Sequence, residues 1–207
     1  MRKKSNQPDI QRVIELQELL LAFHAVDRKV FIPPSIDKAE NDIAHSFSLA
    51  MLAWFLSPHF PNLDVGRMVQ LCLAHDIVEV YAGDTFSYDG QAASSQKERE
   101  SQALARLEEE WADFPGLINA IKEYETLQSE EAKFVYALDK LQPAIMDYLN
   151  EGRIWRKLNI TFAKFIAEKE KKIPVSPEIY DYYQQLLAIL KENLHLFPQD
   201  QKLERVR

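Results

Sequence analysis

The chain has 207 residues, 46% of them hydrophobic and 28% charged, which is enough for one substantial core and excludes the disordered and collagen-like classes. Its formal charge of −7 argues against a nucleic-acid polymer as the main partner, because such a partner usually requires a basic surface. A small phosphate ester can still bind an acidic chain through a metal and one or two cations. The single cysteine, Cys72, excludes an intrachain disulfide and fits a reducing compartment.

The sequence predicts a soluble, cytoplasmic protein without a membrane partner. The basic residues at its start, MRKK, are not followed by the apolar run of a signal peptide. No stretch approaches the length of uninterrupted apolar sequence that a bilayer-spanning helix needs.

Helical periodicity marks the first two blocks of the chain. Apolar residues recur with a helical period over residues 10–26, and the pair Pro33-Pro34 prevents a continuation. A second helix is predicted over 42–56, and Asn41 can cap it. Because that helix is apolar nearly all round, we expect it to be central and buried.

The rest of the chain also favours helices. A third helix is predicted over 65–81 with Gly83 as its C-terminal stop, and the polar stretch 85–95 is expected to be a loop. No segment shows the sustained alternation of a strand. The chain is therefore expected to be a single all-α domain over residues 1–207, with about eight helices. The other helices are predicted over 95–114, 130–150, 155–171 and 177–196.

The most informative segment is HDIVEVYAGD, residues 75–84. It places His75 and Asp76 side by side, Glu79 one helical turn later and Asp84 just past a glycine. Adjacent His and Asp side chains at a helix end can both reach one metal ion. A carboxylate three residues further on lies on the same helix face. The segment therefore favours a metal site with an acidic group beside it.

Two more groups on apolar helices complete a candidate ligand set. His45 lies in the first turns of the second helix, and Asp139 lies inside the apolar sequence YALDKL. A buried aspartate is costly unless it is paired or binds a cation. Mixed imidazole and carboxylate ligands suit Mn²⁺, Fe²⁺, Co²⁺, Ni²⁺ or Zn²⁺. Pro143 lacks the N–H that would bond the carbonyl of Asp139, so we expect a kink that turns Asp139 towards the metal.

These residues resemble the H…HD…D signature of the HD-domain metal-dependent phosphohydrolases. The wider pattern, EVYAGD after the HD pair and ALDKLQP around Asp139, is similar to one branch of that family, the 5′-deoxynucleotidases. The resemblance covers a motif-bearing core of residues 28–150. It leaves 151–207 as C-terminal helices.

The resemblance implies an HD-domain helical bundle that binds one divalent transition-metal ion through His45, His75, Asp76 and Asp139. It also implies an enzyme that removes the 5′-phosphate from deoxyribonucleoside monophosphates, with a small nucleotide as its substrate. A homodimer is implied in the same way.

The resemblance also assigns roles to three further residues. Glu79 positions the attacking water, Asp84 contacts the sugar hydroxyl and Arg28 binds the phosphate. These roles are physically reasonable, because a guanidinium offers a planar fork to phosphate oxygens. A carboxylate one turn from the metal ligands can orient water or accept its proton.

Two alternatives remain open. The same metal chemistry could act on another phosphoester, such as a nucleoside diphosphate, a triphosphate or a cyclic ester. Extra phosphates would need a short basic pocket beyond Arg28, which the sequence does not clearly indicate. A non-catalytic, metal-stabilised binding protein is the other alternative, but a merely structural metal would not need Glu79 and Asp84.

Overall fold

The described part of the chain is almost entirely helical. The computed structural model describes residues 8–35, 38–84 and 90–198, the side chains of 90–95 excepted. Over these ranges it contains ten α-helices, short 3-10 turns and one antiparallel pair of strands. The predicted all-α class is confirmed. None of the described helices is both long and apolar enough to cross a membrane.

The elements follow the chain in an almost unbroken series of helices. The strands are β1 (Asp27–Phe31) and β2 (Ala39–Asn41). The helices are α1 (Ile10–His24), α2 (Asp42–Leu56), α3 (Val65–Ala74), α4 (Glu79–Ala82), α5 (Gly90–Glu110), α6 (Pro115–Thr126), α7 (Glu130–Leu149), α8 (Arg153–Lys157), α9 (Phe162–Lys169) and α10 (Pro177–Glu192).

Side-chain caps determine where several of these helices begin. Each cap is an Asp, Asn, Ser or Thr whose side chain accepts a hydrogen bond from the backbone N–H three residues later, where the first turn has no partner of its own. Asn41 accepts from the Ala44 N–H at 2.9 Å, and this confirms the predicted cap of α2. The other caps are Asp9, Asp64, Ser129, Thr161 and Ser176.

The third helix is shorter than predicted. α3 ends at Ala74 and α4 begins at Glu79, so a continuous helix over 65–81 is wrong. The Glu79 N–H donates to the carbonyl of Asp76 at 2.9 Å, a bond that spans three residues rather than four and tightens the chain. The resulting turn leaves His75 and Asp76 between two helices, where their side chains reach both α2 and α7.

The second helix is buried on one side only. Its inner side carries Asp42, His45, Leu49, Ala53 and Leu56, which are buried. A second set of large apolar residues is 45–72% exposed, so the expectation of a helix buried all round is wrong. The spacing of that set places its members on one helix face, because residues four and seven apart lie above one another. We call it the apolar α2 face: Phe47, Met51, Trp54 and Phe55.

Several other boundaries differ from the sequence predictions. α5 begins at Gly90, inside the predicted loop, and residues 85–89 of that stretch lie outside the described residues. The predicted helix 155–171 is divided into α8 and α9 by a turn, and the one over 177–196 ends as α10 at Glu192. The strands β1 and β2 and the helix α6 had no predicted counterpart. The sequence of β1, DRKVF, does not alternate between polar and apolar residues, and the three residues of β2 are too few to show a pattern.

Helix α7 lies at the centre of the bundle. It contacts α2, α3, α6 and α10 as well as β1, and Phe134 and Leu138 on it are buried in the main core. The C-terminal helices join the same core, because Trp155, Phe165 and Tyr183 belong to it and α10 contacts α7. One helix therefore separates the N-terminal half of the molecule from α8–α10 and contacts both.

One glycine ties the end of α7 to the C-terminal segment. Gly152 has a φ of 64°, in the left-handed region, and a Cβ there would collide with the backbone carbonyl of Leu196. Both effects disfavour any side chain. We expect Gly152→Ala to lower the free energy of unfolding by about 2 kcal/mol or more, measured by urea denaturation.

Gly116→Ala is the matched control, since a Cβ there would lie 3.6 Å from the Phe114 ring, an ordinary contact. It should be neutral or slightly stabilising, because Ala is the better helix former. Equal stabilities of the two variants would contradict the argument.

Candidate metal centre and active site

The four predicted metal ligands converge from three elements. His45 comes from α2, His75 and Asp76 from the turn after α3, and Asp139 from α7. The Nε2 atom of His45 lies 2.9 Å from Asp139 Oδ1 and 3.8 Å from Asp76 Oδ2. The Nε2 atom of His75 lies 3.0 Å from Asp76 Oδ2 and 3.8 Å from Asp139 Oδ1. Two imidazole nitrogens and two carboxylate oxygens thus form one compact group, which we call the ligand cluster.

The ligand cluster is enclosed except at Asp76. His45, His75 and Asp139 are almost fully buried, while the side chain of Asp76 keeps 14% of its exposure. An ion held here would face the cavity described below, which both Asp76 and Asp139 line. Such a site keeps an open position for a ligand.

Polar contacts to the outer atoms of His75 and Asp139 orient these two side chains. The Nδ1 atom of His75 lies 3.0 Å from the backbone carbonyl of Cys72, so Nδ1–H donates there and Nε2 is left to face the cluster. The Tyr124 hydroxyl donates to Asp139 Oδ2 at 2.6 Å, and the Lys140 ammonium lies 2.6 Å from the same oxygen. Asp139 Oδ1 therefore remains for the imidazoles and for an ion.

The electrostatics of the two histidines differ. Burial, helped by the charge of Arg28, lowers the pKa of His45 to about 4, so its imidazole is neutral, as a metal ligand must be. Burial also acts to lower the pKa of His75, but the charges of Asp76 and Asp139 outweigh it and raise that pKa to about 10. A proton on His75 thus relieves an excess of negative charge that a divalent cation would relieve more fully.

More carboxylates surround Arg28. Its Nη1 atom donates to Asp76 Oδ2 at 2.7 Å and to Asp42 Oδ1 at 3.1 Å, and its Nε lies 3.8 Å from Glu40 Oε2. The structure therefore brings the predicted phosphate-binding arginine to the site, where it contacts carboxylates. Glu79 lies beside them, and burial together with the charges of Asp76 and Asp42 raises its pKa to about 11.

The residues present fit a divalent cation. Two groups of three residues each bring their donor atoms within 4.8 Å of one another. One group is His45, His75 and Asp76, and the other is Asp42, Asp76 and Glu79. Buried polar atoms are costly without partners. Within the described residues, those lacking a hydrogen-bond partner at the site are His45 Nδ1, His75 Nε2, Glu40 Oε2, Asp42 Oδ2, Glu79 Oε2 and Arg28 Nε.

A cavity of about 640 Å³ opens from this centre. Asp84, which follows Gly83 at the end of α4, is half-buried in its wall, and burial raises the pKa of its carboxyl. The near end of the cavity, beside the ligand cluster, is lined by Arg28, Asp76, Glu79, Asp84, Tyr124 and Asp139. All seven residues singled out in the sequence are thus brought to one place.

Sequence reasoning missed four residues that contact this centre. Glu40 lies in β2 and Asp42 at the start of α2, where an acidic residue in the first turn is expected for local reasons although this side chain is buried. Lys140 stands next to Asp139 in the ALDKLQP motif, so the motif itself could have indicated it. Tyr124 lies on α6, a helix that was not predicted, and no motif or spacing in the sequence indicated that it reaches the site.

The fold and this geometry agree with comparison to known families. A model of the HD domain family matches residues 23–180, more than half of the chain. The chain belongs to the HD-domain family. The predicted HD-domain bundle is confirmed by this match and by the helical architecture.

Proteins similar to this chain include two 5′-deoxynucleotidases and one solved structure of a predicted phosphohydrolase. The 5′-deoxynucleotidase HDDC2 of Bos taurus is 28% identical over 134 residues, 64% of each chain. That of Mus musculus is 29% identical over 119 residues, 56% of this chain and 59% of its own. The matched region thus spans less than two thirds of either relative. A predicted metal-dependent phosphohydrolase from Magnetospirillum magnetotacticum MS-1 is 28% identical with a TM-score of 0.74, covering 90% of this chain and 96% of that one.

Metal binding should stabilise the folded protein. Mn²⁺ or Co²⁺ at about 100 times its dissociation constant should raise the Tm of metal-stripped protein by roughly 5–10 °C, since the ion binds only the folded ligand cluster. Thermal unfolding measured by circular dichroism tests this.

Asp139→Ala should lose most of the shift. Glu168→Gln, which removes one carboxylate charge elsewhere on the cavity wall, should keep it. A shift of the same size in all three proteins would argue against the ligand cluster as the metal site.

Proposed function

We propose that this chain is a metal-dependent phosphohydrolase that removes the 5′-phosphate from deoxyribonucleoside monophosphates. The observation that carries the proposal is the convergence of two His and two Asp beside a cavity, with a buried Glu79 next to them whose Oε2 has no hydrogen-bond partner. The names of the bovine and mouse relatives support the choice of substrate.

In this proposal His45, His75, Asp76 and Asp139 hold one divalent ion, which could be Mn²⁺, Co²⁺, Fe²⁺, Ni²⁺ or Zn²⁺ given their donor atoms. When bound, such an ion lowers the pKa of a coordinated water and polarises a phosphoryl oxygen. The Tyr124 and Lys140 contacts keep Asp139 aimed at it.

Glu79 acts as the proton acceptor. It lies beside Asp76 on the cavity wall, where its carboxylate can orient an attacking water and take its proton. Without an ion, burial and the charges of Asp76 and Asp42 raise its pKa; a divalent cation at the ligand cluster would lower that pKa and favour the carboxylate form. The unpartnered Oε2 is the atom that receives the proton.

Arg28 and Asp84 hold the substrate. Arg28 lines the cavity beside Asp76, and a guanidinium carries more N–H donors than the Nη1 contacts to Asp42 and Asp76 use, so others can meet a phosphate oxygen. Asp84 lies on the same cavity wall, where its carboxylate can accept a hydrogen bond from a sugar hydroxyl.

A nucleoside di- or triphosphate is the second candidate substrate. Lys29 and Lys97 line the cavity beyond Arg28, and their charges could serve additional phosphates. The acidic Glu100 on the same wall opposes this. We therefore place monophosphates first, and the assay below separates the two.

Phosphate release should identify the reaction. With Mn²⁺ or Co²⁺, we expect release from deoxyribonucleoside 5′-monophosphates in preference to ribonucleoside 5′-monophosphates, 3′-monophosphates, diphosphates and triphosphates. Glu79→Gln should lower kcat by about 100-fold or more while metal content is retained, since only proton transfer is lost.

Asp139→Ala is the control that should lose both metal and activity. Metal-containing protein that releases no phosphate from any of these compounds would refute the proposal. Full activity in Glu79→Gln would refute the role of that residue.

We further propose that the molecule is one domain over 1–207, cytoplasmic, and a homodimer whose interface includes the apolar α2 face. Exposed aromatic side chains on one helix face are typical of an interaction surface. α1, which packs against α2, adds the exposed apolar residues Ile10, Val13, Ile14 and Leu21.

Light scattering tests the dimer. The unmodified protein should show about twice the 24.1 kDa mass of one chain. The double variant Trp54→Glu, Phe55→Glu should show the mass of one chain, because the two carboxylates would be buried without partners in the dimer interface, which is costly. Leu149→Glu, an equally exposed position on α7, should leave the mass unchanged. A monomeric parent protein, or a dimeric double variant, would contradict the proposal.

A further inference from the structure

The cavity does not end at the ligand cluster. It continues along α7 towards α8 and α9, and Asp139, Pro143 and Asp147 all line it. Residues four apart lie on one face of a helix, so these three mark a continuous wall. We call the part beyond the cluster the distal arm: Pro143, Asp147, Trp155, Ile160, Phe165 and Lys169.

The distal arm has the length of a nucleoside. Eight residues separate Asp139 from Asp147, which corresponds to about 12 Å along the helix at a rise of 1.5 Å per residue. An extended nucleoside 5′-monophosphate spans a similar distance from its phosphate to the far edge of its base. A phosphate held beside Asp139 would therefore place the base near Asp147.

The chemistry of the arm also suits a base. Trp155, Ile160 and Phe165 are almost fully buried and give it an apolar floor. Flat, largely apolar ring systems bind in such pockets when a few polar groups fix their orientation. The opposite side of the cavity, near Lys97 and Glu100, is charged and more open to solvent.

Two charged residues stand over this floor. The Lys169 ammonium is nearly buried and donates to the backbone carbonyl of Lys140 at 2.6 Å, so it fastens α9 to α7. Asp147 is half-buried, and its carboxyl interacts with the Trp155 side chain and with the charge of Lys169. Burial nevertheless raises the pKa of Asp147 to about 7, which indicates that its negative charge is incompletely compensated. A hydrogen-bond donor on a ligand would supply what is missing.

We propose that the distal arm receives the nucleobase and that Asp147 selects bases that offer N–H donors, guanine above all. Guanine presents two adjacent N–H groups, which match the two oxygens of one carboxylate. Thymine presents one N–H between two carbonyl oxygens, which a carboxylate repels. This inference rests on the proposed function, because it assumes that the phosphate lies at the ligand cluster.

Steady-state kinetics with Asp147→Asn test the inference. The substrates are dGMP, dTMP and 2-deoxyribose 5-phosphate, which has no base. The ratio of kcat/KM for dGMP to that for dTMP should fall about tenfold in the variant, the loss expected for one charged hydrogen bond. The value for 2-deoxyribose 5-phosphate should not change. Glu192→Gln, which removes one carboxylate charge at an exposed position outside the cavity lining, should leave all three values unaltered.

An unchanged ratio, or an equal loss for all three compounds, would overturn the role of Asp147. The unmodified protein provides a test that needs no variant. It should favour dGMP over 2-deoxyribose 5-phosphate by at least about tenfold in kcat/KM, and equal values would overturn the distal arm as a base site.

Calorimetric binding of the same compounds to metal-loaded protein separates this inference from the proposed function. If dGMP binds at least tenfold tighter than 2-deoxyribose 5-phosphate and Asp147→Asn reduces that difference, the base site stands. Should no phosphate then be released, it is the proposed hydrolysis that fails. Equal affinities would overturn the base site even in an active enzyme.

Discussion

The structure depends on a concentration of buried negative charge where three elements meet. Asp76 and Asp139 share a small volume with two imidazoles, and Asp42 and Glu79 lie beside them. Among the described residues, Arg28 and Lys140 are the cations in direct contact with this group. Two cations cannot balance so many carboxylates at low dielectric, so either protons or a divalent ion must. Burial together with this uncompensated negative charge raises the pKa of Glu79, and the same charge outweighs burial to raise the pKa of His75.

Helix α7 connects the ligand cluster to the hydrophobic core and to the distal arm. Asp139 faces the cluster, the buried Leu138 next to it faces the core, and Asp147 two turns later faces the distal arm. Because Lys169 holds a carbonyl of the same helix, the C-terminal helices form part of the cavity rather than a separate layer. A residue far from the ligand cluster along the chain can therefore still lie on the substrate's path.

Much of this centre was predictable because its chemistry is concentrated in short motifs. The HD pair, His45 and Asp139 could be proposed together because they match the H…HD…D signature, whereas His45 alone would more often be a core histidine than a metal ligand. The all-α fold class could be predicted because apolar residues recur with a helical period along most of the chain. The break after Ala74 could not be predicted, because the residues of the turn are themselves compatible with a helix. The exposed face of α2 was missed because an apolar helix reads as buried whether its cover belongs to the same chain or to another.

The residues that sequence reasoning missed share a physical property. Tyr124, Glu40 and Asp42 act through side chains that reach the centre from elements defined by long-range packing, such as α6 and the β1–β2 pair. No local spacing connects Tyr124 or Glu40 to the ligands, whereas Asp42 lies three residues before His45 on the same helix. Asp42 illustrates the ambiguity most clearly, since an aspartate at the start of a helix satisfies the local rule for a first turn and is at the same time buried against Arg28. Local rules describe why such a residue is permitted, whereas only the packed structure indicates which charge it balances.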